Sequence, residues 1–556
     1  AEPISLELLW AGRRAELPSP LDRLMRDEIA VRRMVREIGR YALAKVDQNT
    51  IQIHRLVQAV LRAGLSPQRQ AETRATAQRI LAVANPGEPD KVSNWERQAQ
   101  LSPHIGPSQT VDSDDSEVRR VVLDQIRYRY MRGDYESSRD LGEQAVARWR
   151  ERWGPDDELT LLATRHLAVA IRELGEMVRA ADLTEEILTR MRRVFGDDHE
   201  HTISTASSFG ADLRNRGTFR EALELDRDSY DRARVAFGDD DPLTLRCGNN
   251  LALDLRLLGD FAAARDLDVD LQSRRRTVLG EEHPHVLSGL CNVVRDLYGA
   301  GDYTEALRQQ EGPLPAYRKR LGGNHNEVLL ADRNIAITLR KLGDYPRARR
   351  QAEANFEAYQ ARFGPDNENT LAAAISLCNT LRVVGEAAEA RRLAEDALGR
   401  YRRAFSLHHP LTLACATNLA IVLRHLGQLT EARRLNESTL ESLRRALGED
   451  HPWTLCCRSN LGSDLAEAGE HGRALEISQD VVDRSQRTRG ATHPYTLAAQ
   501  ANLVIDLRSG GEDERADDLF RTVLAGYAER LGEDHPETVA VAARRRTDAD
   551  IEPPPT

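Results

Sequence analysis

Small and apolar residues along most of this chain fall into a frame of forty-two residues. Glycine recurs at Gly133, Gly175, Gly217, Gly259, Gly301, Gly343, Gly385, Gly427, Gly469 and Gly511. Five residues after each stands a small residue, Ser138 in the first unit and then Ala180, Ala222, Ala264, Ala306, Ala348, Ala390, Ala432, Ala474 and Ala516. A second ladder, Gly154, Gly196, Gly238, Gly280, Gly322, Gly364, Gly448, Gly490 and Gly532, keeps the same period, with Ser406 as the one substitution. Glycine just past a helix and a polar cap or proline at the next helix start are end and start signals. Each unit therefore reads as a helix, a turn and a second helix, with the alanine marking their close crossing.

Ten such units span about residues 116–545. One amphipathic helix pair cannot bury its apolar stripe alone, so the units must stack into a solenoid with one long concave face. The pattern Asn250-Leu251-Ala252, Gly259, Ala264 resembles the tetratricopeptide repeat, and the His-Pro-x-Thr-Leu connection resembles the long repeat of kinesin light chains. The fold class expected is all-α: a superhelical solenoid preceded by a small winged-helix-like domain.

Composition agrees with stacked helices. Hydrophobic residues make up 40% and aromatic residues only 5% of 556 residues, so Leu, Ala and Val must build the core. A net charge of −10 argues against a general nucleic-acid binder, which needs a basic footprint. The six cysteines, Cys247, Cys291, Cys378, Cys415, Cys456 and Cys457, have the spacing of packing residues rather than of ligands or bridges. With no signal peptide or long apolar run, they point to a cytoplasmic protein without a membrane partner. The chain starts at Ala1 without methionine, which reads as a fragment of something longer.

The N-terminal part differs in kind. A helix expected over Leu21 to Arg40 precedes two short strands around a Gln48-Asn49 turn, which suggests a winged helix over residues 1–64. Residues 65–115 read as a helical bridge ending in an exposed acidic linker, Asp112 to Glu117, and residues 546–556 as a Pro-rich tail. That tail either docks as an extended segment or stays disordered.

The run Ile53-His54-Arg55-Leu56-Val57 resembles the segment closing the winged-helix part of NB-ARC signalling ATPases. The resemblance makes His54 a nucleotide-sensing residue, with Arg55 departing from the family's aspartate. Each of the four lysines, Lys45, Lys91, Lys319 and Lys341, lacks the preceding glycine of a P-loop, so ATP or ADP would belong to a domain upstream of Ala1 and this chain needs no cofactor of its own. Together with Asn94-Trp95-Glu96, Pro103-His104 and the closing Asp-Ile-Glu-Pro-Pro-Pro-Thr, the chain resembles the tetratricopeptide-repeat proteins of actinobacterial FxSxx-COOH peptide systems. The resemblance implies, as partner, the system's peptide or its radical SAM maturase.

Three ladders invite chemistry. Asn250, Asn292, Asn334, Asn418, Asn460 and Asn502 share a first-helix position that faces the groove in tetratricopeptide repeats. An amide offers donors and an acceptor, so each can pair with a peptide backbone; alternatively, each satisfies the neighbouring repeat. Six residues on, Arg172, Arg214, Arg256, Arg340, Arg382, Arg424 and Arg508 offer guanidinium forks for an acidic segment or a terminal carboxylate, or else pair internally, as Arg256 would with Asp260. The third ladder, His199, His283, His325, His409, His451, His493 and His535, occupies one loop position. Stacked helices stand roughly 8–10 Å apart, too far for these to share one ion, and Asp241 and Asn367 at the same position mark it as a helix cap rather than a metal site. No catalytic constellation stands out. The reading is a non-catalytic scaffold or sensor arm binding a protein or peptide in its groove. The alternative is a winged-helix transcription regulator contacting DNA through Arg32, Arg33 and Arg36, with the repeats as sensor.

Overall fold

A computed structural model of the chain describes residues 2–281 and 283–554, so Ala1 and the last two tail residues, Pro555 and Thr556, lie outside the described residues. The chain divides into two compact units, the first running to Thr205 and the second starting at Ala206.

The first unit opens with a three-stranded antiparallel sheet, β1 (Ile4–Ser5), β2 (Ala44–Val46) and β3 (Thr50–Ile53), in the order β1-β3-β2. Met25, Val31, Val35, Ala44 and Ile51 form its small core. The expected helix over Leu21 to Arg40 is two, Leu21–Arg26 and Glu28–Arg40. Asp27 breaks it: its backbone is extended (φ −108°, ψ 103°) and its carboxylate caps the second helix by accepting from the Ile29 and Ala30 amides. The hairpin turn is where the sequence places it, with Asp47 accepting from the amides of Asn49 and Thr50. Asp112 to Glu117 is solvent-exposed at most positions, yet arginines engage it: Arg152 meets both the Asp112 carbonyl and the Asp114 carboxylate.

From Ser116 onward the helices come in pairs. Pro242–Leu257 and Phe261–Leu279 are representative, a first helix of 16 residues and a second of 19. Gly259 (φ +85°) ends the first helix, and Gly238 (φ +89°) ends the second helix of the repeat before; both need the left-handed region that glycine enters without a Cβ penalty. Where Ser406 replaces the second-ladder glycine, the helix Ala387–Ala404 is one residue shorter and Phe405 takes the irregular position. The small residue after each mid-repeat glycine is fully buried from Ser138 through Ala516. One second helix is broken, into Tyr303–Glu311 and Leu314–Leu321, at Gly312-Pro313.

The histidine ladder caps helices, as its loop position implies. In His283, His325, His409, His451, His493 and His535, Nδ1 accepts the amide two residues on, as do Oδ1 of Asp241 and of Asn367. Four of them do more. The Nε2–H of His409, His451, His493 and His535 donates to the carbonyls of Arg214, Leu257, Gly299 and Lys341 at 3.0, 2.9, 3.0 and 3.2 Å, each 194 or 195 residues earlier. Within the second unit, successive superhelical turns therefore touch along a seam. The proline after each histidine packs on the mid-repeat glycine of the earlier turn, Pro452 on Gly259 for example. The neutral Nε2–H tautomer is the one that serves both bonds. Burial holds His409 and His451 at about 4 and His493 at about 3.

Candidate functional site

The groove in the second unit contains a segment of the chain itself. After the short helix Pro536–Ala542, residues 545–554 leave helical structure and run along the inner face of the repeats, buried at Thr547, Ala549, Asp550, Ile551 and Pro553. Asn502, Asn460 and Asn418 each hold one residue of this tail by both backbone groups. Nδ2 donates to the carbonyls of Thr547, Ala549 and Ile551 at 3.0, 2.9 and 2.8 Å. Oδ1 accepts the amides of the same three residues at 2.9, 3.2 and 2.9 Å. One asparagine per repeat thus reads every second tail residue. The next position back along the ladder is Ser376, and the next tail residue in step is Pro553, which has no N–H to donate.

The residues between point the other way, as alternation along an extended chain requires. Asp548 meets Arg382 (2.5 Å), Arg424 (2.7 Å) and His425 (2.8 Å). Asp550 meets Arg340 (2.5 Å), Lys341 (2.7 Å) and Arg382 (2.8 Å), and Tyr495 donates to its carbonyl at 2.8 Å. Glu552 meets Arg340 at 2.9 Å, Arg333 at 3.5 Å and Asn379 at 2.9 Å. Burial alone would raise these aspartates, but the guanidinium of Arg382 with His425 and Arg424 holds Asp548, and Arg340, Lys341 and Arg382 hold Asp550, well below the usual carboxylate range. Ala549 and Ile551 pack into the main apolar core of the repeats.

The remaining ladder members face the protein itself. Asn250 bonds Ser207, Asn292 bonds Asn249, and Asn334 bonds the Cys291 carbonyl and Gln310. Arg214 is clasped by Asp226 (2.6 Å) and Asp254 (3.0 Å), and Arg256 by Asp268 (2.5 Å) and Asp296 (2.7 Å) rather than by Asp260. Arg508 pairs with Asp517, and Arg172 makes its polar contacts within the protein. His54 is exposed and precedes the helix Arg55–Ala63 without a side-chain cap bond. Arg32, Arg33 and Arg36 are exposed, with Arg32 on Glu28 at 2.8 Å. The six cysteines are buried free thiols, and burial pushes Cys247, Cys378 and Cys457 up to about 12, which removes them as nucleophiles at neutral pH.

A signal in the sequence separates the two groups of arginines. The partners of Arg214 and Arg256 lie 12 and 40 residues later, at Asp226 with Asp254 and at Asp268 with Asp296. At the same offsets Arg340 finds Ala352 and Thr380, and Arg382 finds Ala394 and Val422. Arg424 is intermediate, with Asn436 and Asp464, and divides its guanidinium between Asp464 (2.7 Å) and the tail. Where two aspartates face one arginine, carboxylates outnumber the guanidinium, and burial, only partly offset by the arginine, raises Asp254 to about 8 and Asp296 to about 7. Where they are missing, the surplus is positive. Past Pro553, Arg295 bonds Asn334, while its Nη2 has no partner among the described residues; burial, with Arg333 and Arg256 nearby, lowers it to about 9.

The fold and groove define a helical-repeat protein that holds an extended segment along its inner face. The tetratricopeptide repeat family matches residues 159–270 and 327–529 in overlapping stretches, more than half of the chain, and the chain belongs to that family. Such repeats make a protein-interaction scaffold or sensor. No curated protein matches the chain in sequence. Among solved structures, a putative kinesin light chain from Podosopora anserina with nearly identical repeats is 24% identical over 36% of this chain and 95% of its own, with a TM-score of 0.29. A Rap protein complexed with competence and sporulation factor is 13% identical over 67% of this chain and 99% of its own (TM-score 0.43). A signal transduction ATPase with a tetratricopeptide repeat sensor from Pyrococcus horikoshii is 14% identical over 80% of this chain and 63% of its own (TM-score 0.46). Among the described residues, no helix is long and apolar enough to cross a membrane.

Proposed function

We propose that this chain is a non-catalytic scaffold or sensor arm that holds an extended protein or peptide segment along the inner face of its repeats. One observation carries the reading: three asparagines on successive repeats each make two hydrogen bonds to the backbone of a single tail residue. Such pairing is indifferent to side chains, so it serves any extended segment, and the arginines add preference. In the setting that the sequence resemblance suggests, the arm serves a signalling ATPase whose nucleotide site lies in another domain, with His54 facing it, and the system's peptide or maturase is the first partner to try. Ligand-driven signalling of this kind needs two states of the arm with different ligand affinity.

The test is affinity capture from the native host with the full chain, against Asn418→Ala/Asn460→Ala/Asn502→Ala and Asn250→Ala/Asn292→Ala/Asn334→Ala. The reading requires a partner that the first triple variant loses while keeping its helix content. A partner set identical for the parent and that variant would move recognition away from the groove.

A further inference from the structure

We infer that the partner of this groove is an extended segment of another protein carrying a carboxylate at every second residue, and that residues 547–552 of the chain occupy its place until such a segment displaces them. The inference rests on the groove reading above and specifies its ligand. Three independent features converge on it.

The first is register. The asparagines of three successive repeats contact residues 547, 549 and 551, so each repeat advances the bound chain by two residues and presents the intervening side chains to the arginine row. The second is the bias of that row. Arg340 and Arg382 lack the aspartates that neutralise Arg214 and Arg256, although the frame offers the same positions, filled by Ala352, Thr380, Ala394 and Val422. With the tail seated their side chains are about 95% buried or more, and a guanidinium buried without a carboxylate is strongly disfavoured, so whatever segment covers this stretch must be acidic. The third is that the tail supplies Asp548, Asp550 and Glu552 in that spacing while its odd positions are Thr547, Ala549 and Ile551, side chains of modest size that fit between the helices.

A segment attached by its own chain competes at a high effective concentration, so an outside ligand must match or exceed its contacts to enter. Neutralising the tail's carboxylates lowers that barrier without shortening the chain.

The experiment is fluorescence anisotropy with a labelled synthetic peptide of the sequence Arg-Thr-Asp-Ala-Asp-Ile-Glu-Pro-Pro-Pro-Thr and two full-length proteins, the parent chain and Asp548→Asn/Asp550→Asn/Glu552→Gln. The variant should bind the peptide at least tenfold more tightly than the parent. A peptide with asparagine at both aspartate positions should lose at least tenfold, and adding Arg340→Ala/Arg382→Ala to the variant should abolish binding. Equal affinity of parent and variant would overturn the tail's role as occupant. Equal binding of acidic and neutral peptides, still lost in the asparagine variant, would overturn the carboxylate requirement while leaving the groove reading intact. Sedimentation showing a dimer of the parent that the variant dissolves would place the tail in a second copy and overturn the intramolecular assignment. Should the variant fail to fold, hydrogen exchange on the parent decides: excess acidic peptide must speed exchange of the Ala549 and Ile551 amides, and unchanged rates would overturn the inference.

Discussion

Asn460 closes both of its amide hydrogen bonds on one residue, Ala549, donating to its carbonyl at 2.9 Å and accepting its N–H at 3.2 Å. A single hydrogen bond contributes about 1 kcal/mol net. Asn460→Ala should therefore loosen the tail locally and speed exchange of the Ala549 amide by about one order of magnitude, with a smaller effect at Thr547. Native-state hydrogen exchange measures this, and an unaltered Ala549 rate would show the asparagine to be spectator rather than clamp.

Arg340 bridges two tail carboxylates, Asp550 and Glu552, as Arg382 bridges Asp548 and Asp550. Removing one partner of a buried ion pair leaves the other charge stranded, at a cost of about 3–5 kcal/mol. Because Lys341 and Arg382 still hold Asp550, and Arg333 and Asn379 still hold Glu552, Arg340→Ala should destabilise the second unit in urea unfolding by less than that. In the Arg340→Ala/Asp550→Ala double variant the loss should be smaller than the sum of the singles, since both singles remove the same direct ion pair. Additive losses would deny the coupling.

The seam histidines make stability fall on acidification. His409, His451 and His493 have folded pKa values depressed to about 4, 4 and 3 against an ordinary 6.5, so the unfolded state binds more protons between those limits. Their contribution is whole above about pH 6.5 and declines as pH falls toward 4, by up to about 3 kcal/mol per histidine. The tail carboxylates behave differently. Asp548 and Asp550 are held below the ordinary 3.8, so their contribution persists down to that pH and is lost only below it. Urea midpoints at pH 7 and 5 should differ in the parent, and less so in His451→Asn, which keeps a capping side chain of the kind found at Asn367. Asp254 and Asp296, raised to about 8 and about 7, gain stability on acidification in parent and variant alike, so it is an equal pH dependence in the two proteins that would refute the seam's neutral tautomer.

Two glycines of like φ separate strain from turn packing. Gly238 and Gly259 have φ near +89° and +85°, but a Cβ at Gly238 meets nothing within 4 Å, whereas at Gly259 it meets Pro452 at 2.5 Å. Gly238→Ala should cost about 1 kcal/mol of backbone strain. Gly259→Ala should add about 1–3 kcal/mol of overpacking against the neighbouring turn. Equal thermal shifts would mean that the turns do not touch in solution.

The helical pairs, their glycine ends and the histidine caps were legible because each is a local signal repeated every forty-two residues. The break at Asp27 escaped because apolar spacing continues across it while a single capping carboxylate redirects the chain. The asparagine ladder pointed to backbone pairing, yet Asn250, Asn292 and Asn334 share the position of Asn418, Asn460 and Asn502 and bond the helices of the preceding repeat. That difference comes from the course of residues 545–554 along the groove, which no local pattern states. The seam was invisible for a similar reason: a contact across 194 residues depends on the accumulated rotation of several repeats. The arginines could have been sorted from sequence by the missing aspartates at the two offsets.

Asp550 is gripped at once by Arg340 of the sixth repeat, Arg382 of the seventh and Tyr495 of the tenth, so one side chain and its carbonyl bridge the start and finish of a superhelical turn. Whatever lies there acts as a pin through a spring. A longer or bulkier occupant would change the pitch of the coil, and occupancy of the groove would be felt as a change in length by anything joined to its ends.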